Sequence, residues 1–140
     1  MKMFFPFVFL FCAGALIMVG CRKNTTGAFL GATTAGTNGA TTLILLPQHH
    51  SVSWGINICE VFIKYNATDV PLNNVYDDSV TCTCANGIVT CSFTQLKNGN
   101  YYLQGRAYDT TVNQKLVGGL PVSITQQNTT TTNYLPVAEY

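Results

Sequence analysis

The stretch that most constrains this chain of 140 residues is Val80 to Phe93. Asn86-Gly87 supplies the two residues that tolerate positive φ in a type I′ turn, and hydrophobic alternation runs outward from it on both sides. Val80, Cys82 and Cys84 share one face with Val89, Cys91 and Phe93, while Thr81, Thr83, Thr90 and Ser92 face the other way. A two-residue turn pairs Ala85 with Ile88, hence Cys84 with Val89 and Cys82 with Cys91. Counted from the turn, the last pair is non-hydrogen-bonded, where side chains stand closest, so a Cys82–Cys91 disulfide is predicted. Cys84 is then left to reach Cys59 from a neighbouring strand or sheet. A Cys82–Cys84 bridge is disfavoured because alternate residues of one extended strand lie too far apart.

The rest of the pattern is also that of strands punctuated by turns, with no sustained helical periodicity. Thr42 to Leu46 is an apolar run. Val52 to Tyr65 is long and rich in Ile, Val and Phe, but its phase slips. Val52, Trp54, Ile56 and Ile58 share one parity, while Cys59, Val61, Ile63 and Tyr65 share the other. A bulge or break near Ile58 would place both sets on the core face. Asn66 to Asn74 reads as a loop, and Asn98-Gly99 as a turn leading into Tyr101–Tyr108 and then Lys115–Ile124. About six or seven short strands argue for a single β-sandwich over residues 42–125, with a thin core.

The flanks read differently. Residues 1–20 have the form of an export signal, with Lys2 as the positive region, an apolar run from Phe4 to Val19, and small Gly20 at the cleavage point. Met18-Val19-Gly20-Cys21 resembles the lipobox of bacterial lipoproteins, with Met18 where Leu is usual. That resemblance implies cleavage before Cys21, acylation of its thiol and anchoring in a membrane, since each buried methylene contributes about 0.8 kcal/mol. Residues 21–41 are expected to be the lipidated cysteine and a flexible Gly/Thr/Asn tether, and residues 126–140 a flexible tail. Once Lys2 is removed, six of the seven basic residues balance six acidic ones, so no basic stripe is left for nucleic acid. Cys59, Cys82, Cys84 and Cys91 form an even set suited to an oxidising compartment.

Three segments carry a wider resemblance. They are Cys59-Glu60-Val61-Phe62-Ile63-Lys64-Tyr65-Asn66-Ala67-Thr68-Asp69, then Ala85-Asn86-Gly87, then Leu96-Lys97-Asn98-Gly99-Asn100-Tyr101-Tyr102-Leu103. Together they resemble small bacterial envelope lipoproteins with a transthyretin-like, carboxypeptidase regulatory-like domain, over roughly residues 42–124. The most specific part is the Leu-x-x-Gly-x-Tyr stretch from Leu96 to Tyr101. The resemblance implies a seven-stranded Greek-key sandwich in the cell envelope, at the outer membrane, and no catalytic residues. Cys84 departs from the pattern, standing where relatives often place a polar residue, which suggests heavier reliance on staples here.

Candidate chemistry is sparse. His49-His50 invites a metal reading, with Asp69, Asp77 and Asp78 as further oxygen donors. Adjacent strand residues point to opposite faces, however, so the pair is expected to be solvated turn residues and neither metal nor cofactor is assigned. Histidines confined to one site beside Pro47, and the like-charge pair Asp77-Asp78, argue against an enzyme. Asp78-Ser79-Val80 and Asp109-Thr110-Thr111 match a weak O-glycosylation pattern. Tyr102, Arg106 and Tyr108 share the outward parity of their strand and form the candidate binding face for a surface glycan or a protein. The sequence therefore points to a lipid-anchored, non-catalytic structural or interaction module of the envelope. The alternative is a carbohydrate- or peptide-binding accessory domain of a surface nutrient-capture system.

Overall fold

The computed structural model describes residues 34–53 and 55–140; the signal segment, the lipobox with Cys21, most of the predicted tether, and Trp54 lie outside the described residues. The described chain is all-β. Its strands are β1 (Thr41–His49), β2 (Ile56–Tyr65), β3 (Asp78–Thr81), β4 (Thr83–Ala85), β5 (Ile88–Leu96), β6 (Gly99–Asp109), β7 (Gln114–Ile124) and β8 (Thr130–Glu139). They form one mixed sheet of eight strands in the order β3-β2-β6-β7-β8-β1-β5-β4. The first and last strands, β1 and β8, run parallel, and the other pairings are antiparallel.

The two ends of that order are consecutive in the chain, so the sheet nearly closes into a barrel. Residues 78–85 behave as one strand bent at Cys82: its first part pairs with β2 and its second with β5. Cys82 serves both neighbours. Its N–H donates to the Cys59 carbonyl of β2 at 2.9 Å, and its sulfur is bonded to Cys91 of β5. The Asn86-Gly87 turn has positive φ at both residues, 52° and 77°, and sets the Cys84–Val89 and Ala85–Ile88 pairs as the pattern predicts. With the bonded cysteines nine positions apart, the chain-entropy model gives the bridge about 2.5 kcal/mol.

The second expected bridge, Cys59 with Cys84, does not form. Both thiols are free, Cys59 buried and Cys84 exposed. Past Cys82 the strand leaves β2, and all of β4 is exposed, so the parity that should turn Cys84 inward no longer has a core beneath it. Burial pushes the Cys59 thiol up to about 12 and keeps it protonated. Native protein should therefore give Cys84 but not Cys59 to a thiol reagent, with Cys59 labelled only after unfolding; a peptide joining Cys59 to Cys84 in a non-reducing map would contradict this arrangement.

The core follows the strand alternation. Leu43 and Leu45 of β1, Val61 and Ile63 of β2, Val89 and Phe93 of β5, Tyr101 and Leu103 of β6, Leu116 of β7, and Leu135 and Val137 of β8 pack together. In β2 the register shifts between Ile56 and Ile58, where the phase slip calls for a bulge, and both Ile56 and Cys59 end up buried. Gly105 of β6 faces Gly118 of β7. A Cβ on Gly105 would lie 2.8 Å from Leu135 and one on Gly118 would lie 1.8 Å from the Pro136 carbonyl, so the two glycines make room for β8.

Both expected flexible flanks require correction. Residues 34–41 are not free tether. Ala35 is buried, its N–H donates to Asn66 Oδ1, and the Gly36 N–H donates to the Tyr101 hydroxyl. That hydroxyl reaches the carbonyl of Lys97, four residues upstream, at 2.8 Å, which locks the corner leading into β6. Residues 126–140 are not a tail either, because β8 lies between β7 and β1 and pairs with β1 from Thr42–Thr130 to His49–Val137. Its signal in the sequence is weak because Leu135 and Val137 are its buried residues while Thr130 to Thr132 stay exposed. Leu135→Ala should cost about 3 kcal/mol in denaturant unfolding. A near-zero cost would return the segment to the status of a tail.

Candidate functional site

Tyr102, Arg106 and Tyr108 lie along one side of β6, on the face away from the core. The structure does not leave all of them free. Tyr102 is only 8% exposed, with its hydroxyl over Gly119 so closely that a Cβ there would sit 1.9 Å from it. Burial raises the Tyr102 phenol, and Tyr76 and Asp69 add to the rise. The segment between β2 and β3 folds back over this face: the Tyr76 hydroxyl donates to Gln104 Oε1 at 2.6 Å, and its ring stacks at a tilt on Phe62, 5.4 Å away. Arg106 Nη2 donates to the same Gln104 oxygen, and the guanidinium lies 4.5 Å over the Phe62 ring. Tyr108 donates its hydroxyl to Asn113 Oδ1. Arg106 itself is exposed and stands at the rim of two shallow hollows. One, of about 320 Å³, is lined by Glu60, Arg106, Tyr108, Lys115, Val117 and Tyr140 among others.

The acidic loop residues do not converge. Asp77 accepts from Lys64 Nζ at 2.8 Å and from the Tyr65 N–H, while Asp69 and Asp78 accept from the N–H groups of their own following residues. No shared oxygen site arises from them.

The histidine pair is where sequence and structure diverge most. β1 buries alternate residues from Thr41 through Leu43, Leu45 and Pro47 to His49, so His49 is the last inward-facing residue of the strand and is 3% exposed. Asp109 ends the inward face of β6 in the same way, at 4% exposure. Glu139 shares its parity with Leu135 and Val137 on β8. Three inward faces thus finish in ionisable groups at one end of the barrel. His49 Nδ1 donates to Asp109 Oδ2 at 3.0 Å, while Asp109 Oδ1 accepts from the Thr111 and Val112 N–H groups. His49 Nε2 lies 3.0 Å from Glu139 Oε1, an ion-pair distance, but the ring N–H direction misses that oxygen and the atom has no hydrogen-bond partner. The Asp109 hydrogen bond raises the His49 pKa, burial opposes the rise, and Glu139 adds to it. His49 in turn holds Asp109 below the usual carboxylate range.

The expectation that His49 and His50 point to opposite faces fails because the strand ends between them. His50 and Ser51 both have positive φ, 50° and 67°, and this turn brings the two rings to the same side, 4.1 Å apart between centroids. Comparisons bring no outside guide: no family model, curated protein or solved structure matches the chain.

The two outward tyrosines should separate on mutation. Tyr102→Ala should cost about 3 kcal/mol of stability, as for a core aromatic. Tyr108→Ala should cost about 1 kcal/mol or less. Equal and small effects in chemical denaturation would mean that Tyr102 is a free surface ring after all.

Proposed function

We propose that this chain is a lipid-anchored, non-catalytic interaction module of the bacterial cell envelope. The domain is displayed through acylated Cys21, at the outer membrane, and contacts a peptide segment of a partner through the face around Arg106. The observation that carries the reading is the hollow beside Arg106, where Glu60, Arg106 and Lys115 offer charges of both signs next to Tyr108, Val117 and Tyr140. That mixture suits a peptide better than a sugar. Stacking on a sugar ring needs an open aromatic face. Here Tyr102 is buried and Phe62 is already covered by Arg106 and flanked by Tyr76.

The non-catalytic part of the reading is supported by the histidine geometry. His49 with Asp109 has the form of a general base with its orienting group, but Nε2 faces the Glu139 carboxylate and not a hydroxyl or thiol for it to activate. A relation to transthyretin-like envelope domains is part of the same proposal. Counting the bent segment 78–85 once gives seven strands, and only Leu116–Glu139 and Val117–Ala138 join β7 to β8. The short β7–β8 ladder and the bend at Cys82 are where a two-layer sandwich would part, which supports the relation.

Cells fed labelled palmitate should incorporate label into the protein and carry it in the membrane fraction, and Cys21→Ser should lose both. On immobilised peptide libraries and glycan arrays, retention is expected on peptides alone. Arg106→Ala combined with Lys115→Ala should weaken that retention about tenfold, roughly 1.4 kcal/mol, at unchanged melting temperature. Retention on glycans that survives the double substitution would overturn the peptide reading, and normal membrane partition of Cys21→Ser would overturn the anchor.

A further inference from the structure

We infer that His49 Nε2, His50 Nε2 and Glu139 Oε1 bind one divalent cation of the zinc class, with Asp109 behind His49 as the residue that orients it. The inference is independent of the Arg106 face. Glu139 Oε1 lies 3.0 Å from His49 Nε2 and 3.4 Å from His50 Nε2, and one donor atom of each of the three residues falls within 4.8 Å of the others. Zinc bonds of about 2.0–2.1 Å at tetrahedral angles place neighbouring donor atoms roughly 3.3 Å apart. The two nitrogen–oxygen distances therefore already stand near the spacing that an ion between them would demand.

His49 supplies the independent observation. Its Nε2 is buried, aimed into the cluster, and without a hydrogen-bond partner despite the short distance to Glu139. Buried polar atoms are rarely left so. A hydrogen bond needs the oxygen on the N–H axis, whereas an ion between the two needs only that nitrogen and oxygen both face it. Asp109 makes the nitrogen ready. It accepts from Nδ1, and its other oxygen is fixed by the Thr111 and Val112 N–H groups, so the ring is oriented with Nδ1 toward Asp109 and Nε2 toward the cluster, where an ion would displace any proton on Nε2. A carboxylate behind a ligating histidine is the usual outer partner of such a metal ligand.

The donor set selects the ion. Two imidazoles and one carboxylate suit zinc and its transition-metal neighbours and disfavour calcium or magnesium, which take oxygen ligands. Three protein donors leave a fourth position for water. The side chains of His50, 75% exposed, and Glu139, 43% exposed, keep the site open to entry from solvent. Because His49 ends β1, His50 follows in the turn and Glu139 ends β8, the ion would pin the turn after β1 to β8.

The test uses untagged full-length protein with exposed thiols alkylated, stripped with a chelator and titrated with zinc chloride by calorimetry, with melting followed in parallel. One equivalent should bind with a dissociation constant on the order of 1 μM or tighter, and raise the melting temperature by several degrees. His50→Ala and Glu139→Gln should each weaken binding at least about tenfold and abolish the zinc-dependent rise, while the melting temperature in chelator stays that of the wild type. Asp109→Asn should weaken binding by about 10- to 100-fold if it folds, but the two exposed positions decide the matter. Absence of saturable uptake, or uptake unchanged in both His50→Ala and Glu139→Gln, would overturn the inference.

Discussion

Closure of the sheet at Cys82 is the constraint on which the other arrangements rest. A strand with unpaired edges invites association with other chains, and a barrel or tightly folded sandwich removes those edges. Here one residue bridges the gap. Its backbone serves β2 and its side chain serves β5, so the bend falls where a covalent bond and a hydrogen bond converge. The bend has a cost in burial: β4 leaves the core, and with it goes Cys84. The same geometry that joins Cys82 to Cys91 thus separates Cys84 from Cys59.

Much of the sheet was legible in local patterns, because strand parity and turn chemistry act over a few residues. Asn86-Gly87 fixed the hairpin register, and the phase slip in β2 located its bulge. What was not legible depends on partners distant in sequence. β8 has two well-buried residues, Leu135 and Val137, and its status as a strand follows from the space that Gly105 and Gly118 leave for it. Tyr102 has outward parity, yet a loop covers it, since parity names a face and not the solvent beyond it. His49 was the most instructive case. The apolar run was read only to Leu46 and the histidines as turn residues, but the strand continues through Pro47, which falls beyond the last β1–β5 pair, Leu45 with Cys91, where a residue lacking an N–H is tolerated. Extending the alternation of Leu43 and Leu45 through Pro47 would have turned His49 inward.

The barrel interior is therefore not uniform. Its middle is apolar, and at one end His49, Asp109 and Glu139 replace the hydrophobic residues that the alternation would otherwise place there. Buried ionisable groups are expensive to desolvate unless they are paired, so the cluster is bound together or it destabilises the fold. At the other end the Tyr101 hydroxyl gathers the backbone of Gly36 and Lys97, a neutral closure of the opposite opening. The fold thus carries an ionic lid and an uncharged one, and the chemistry of the molecule is concentrated at the first of them.

The parallel pairing of β1 with β8 also has a consequence for how the molecule is made. β1 borders β5 on one side and β8 on the other, so the sheet stays incomplete until residues 130–139 have emerged from the ribosome. Pairing that joins the two extremes of a chain closes a long loop late and slowly. A nascent polypeptide of this topology can pair β6 with β7 early but cannot complete its sheet until β8 is available. Its final architecture is then assembled as β8 seats between β7 and β1, while the Cys82–Cys91 bond holds the opposite seam of the sheet.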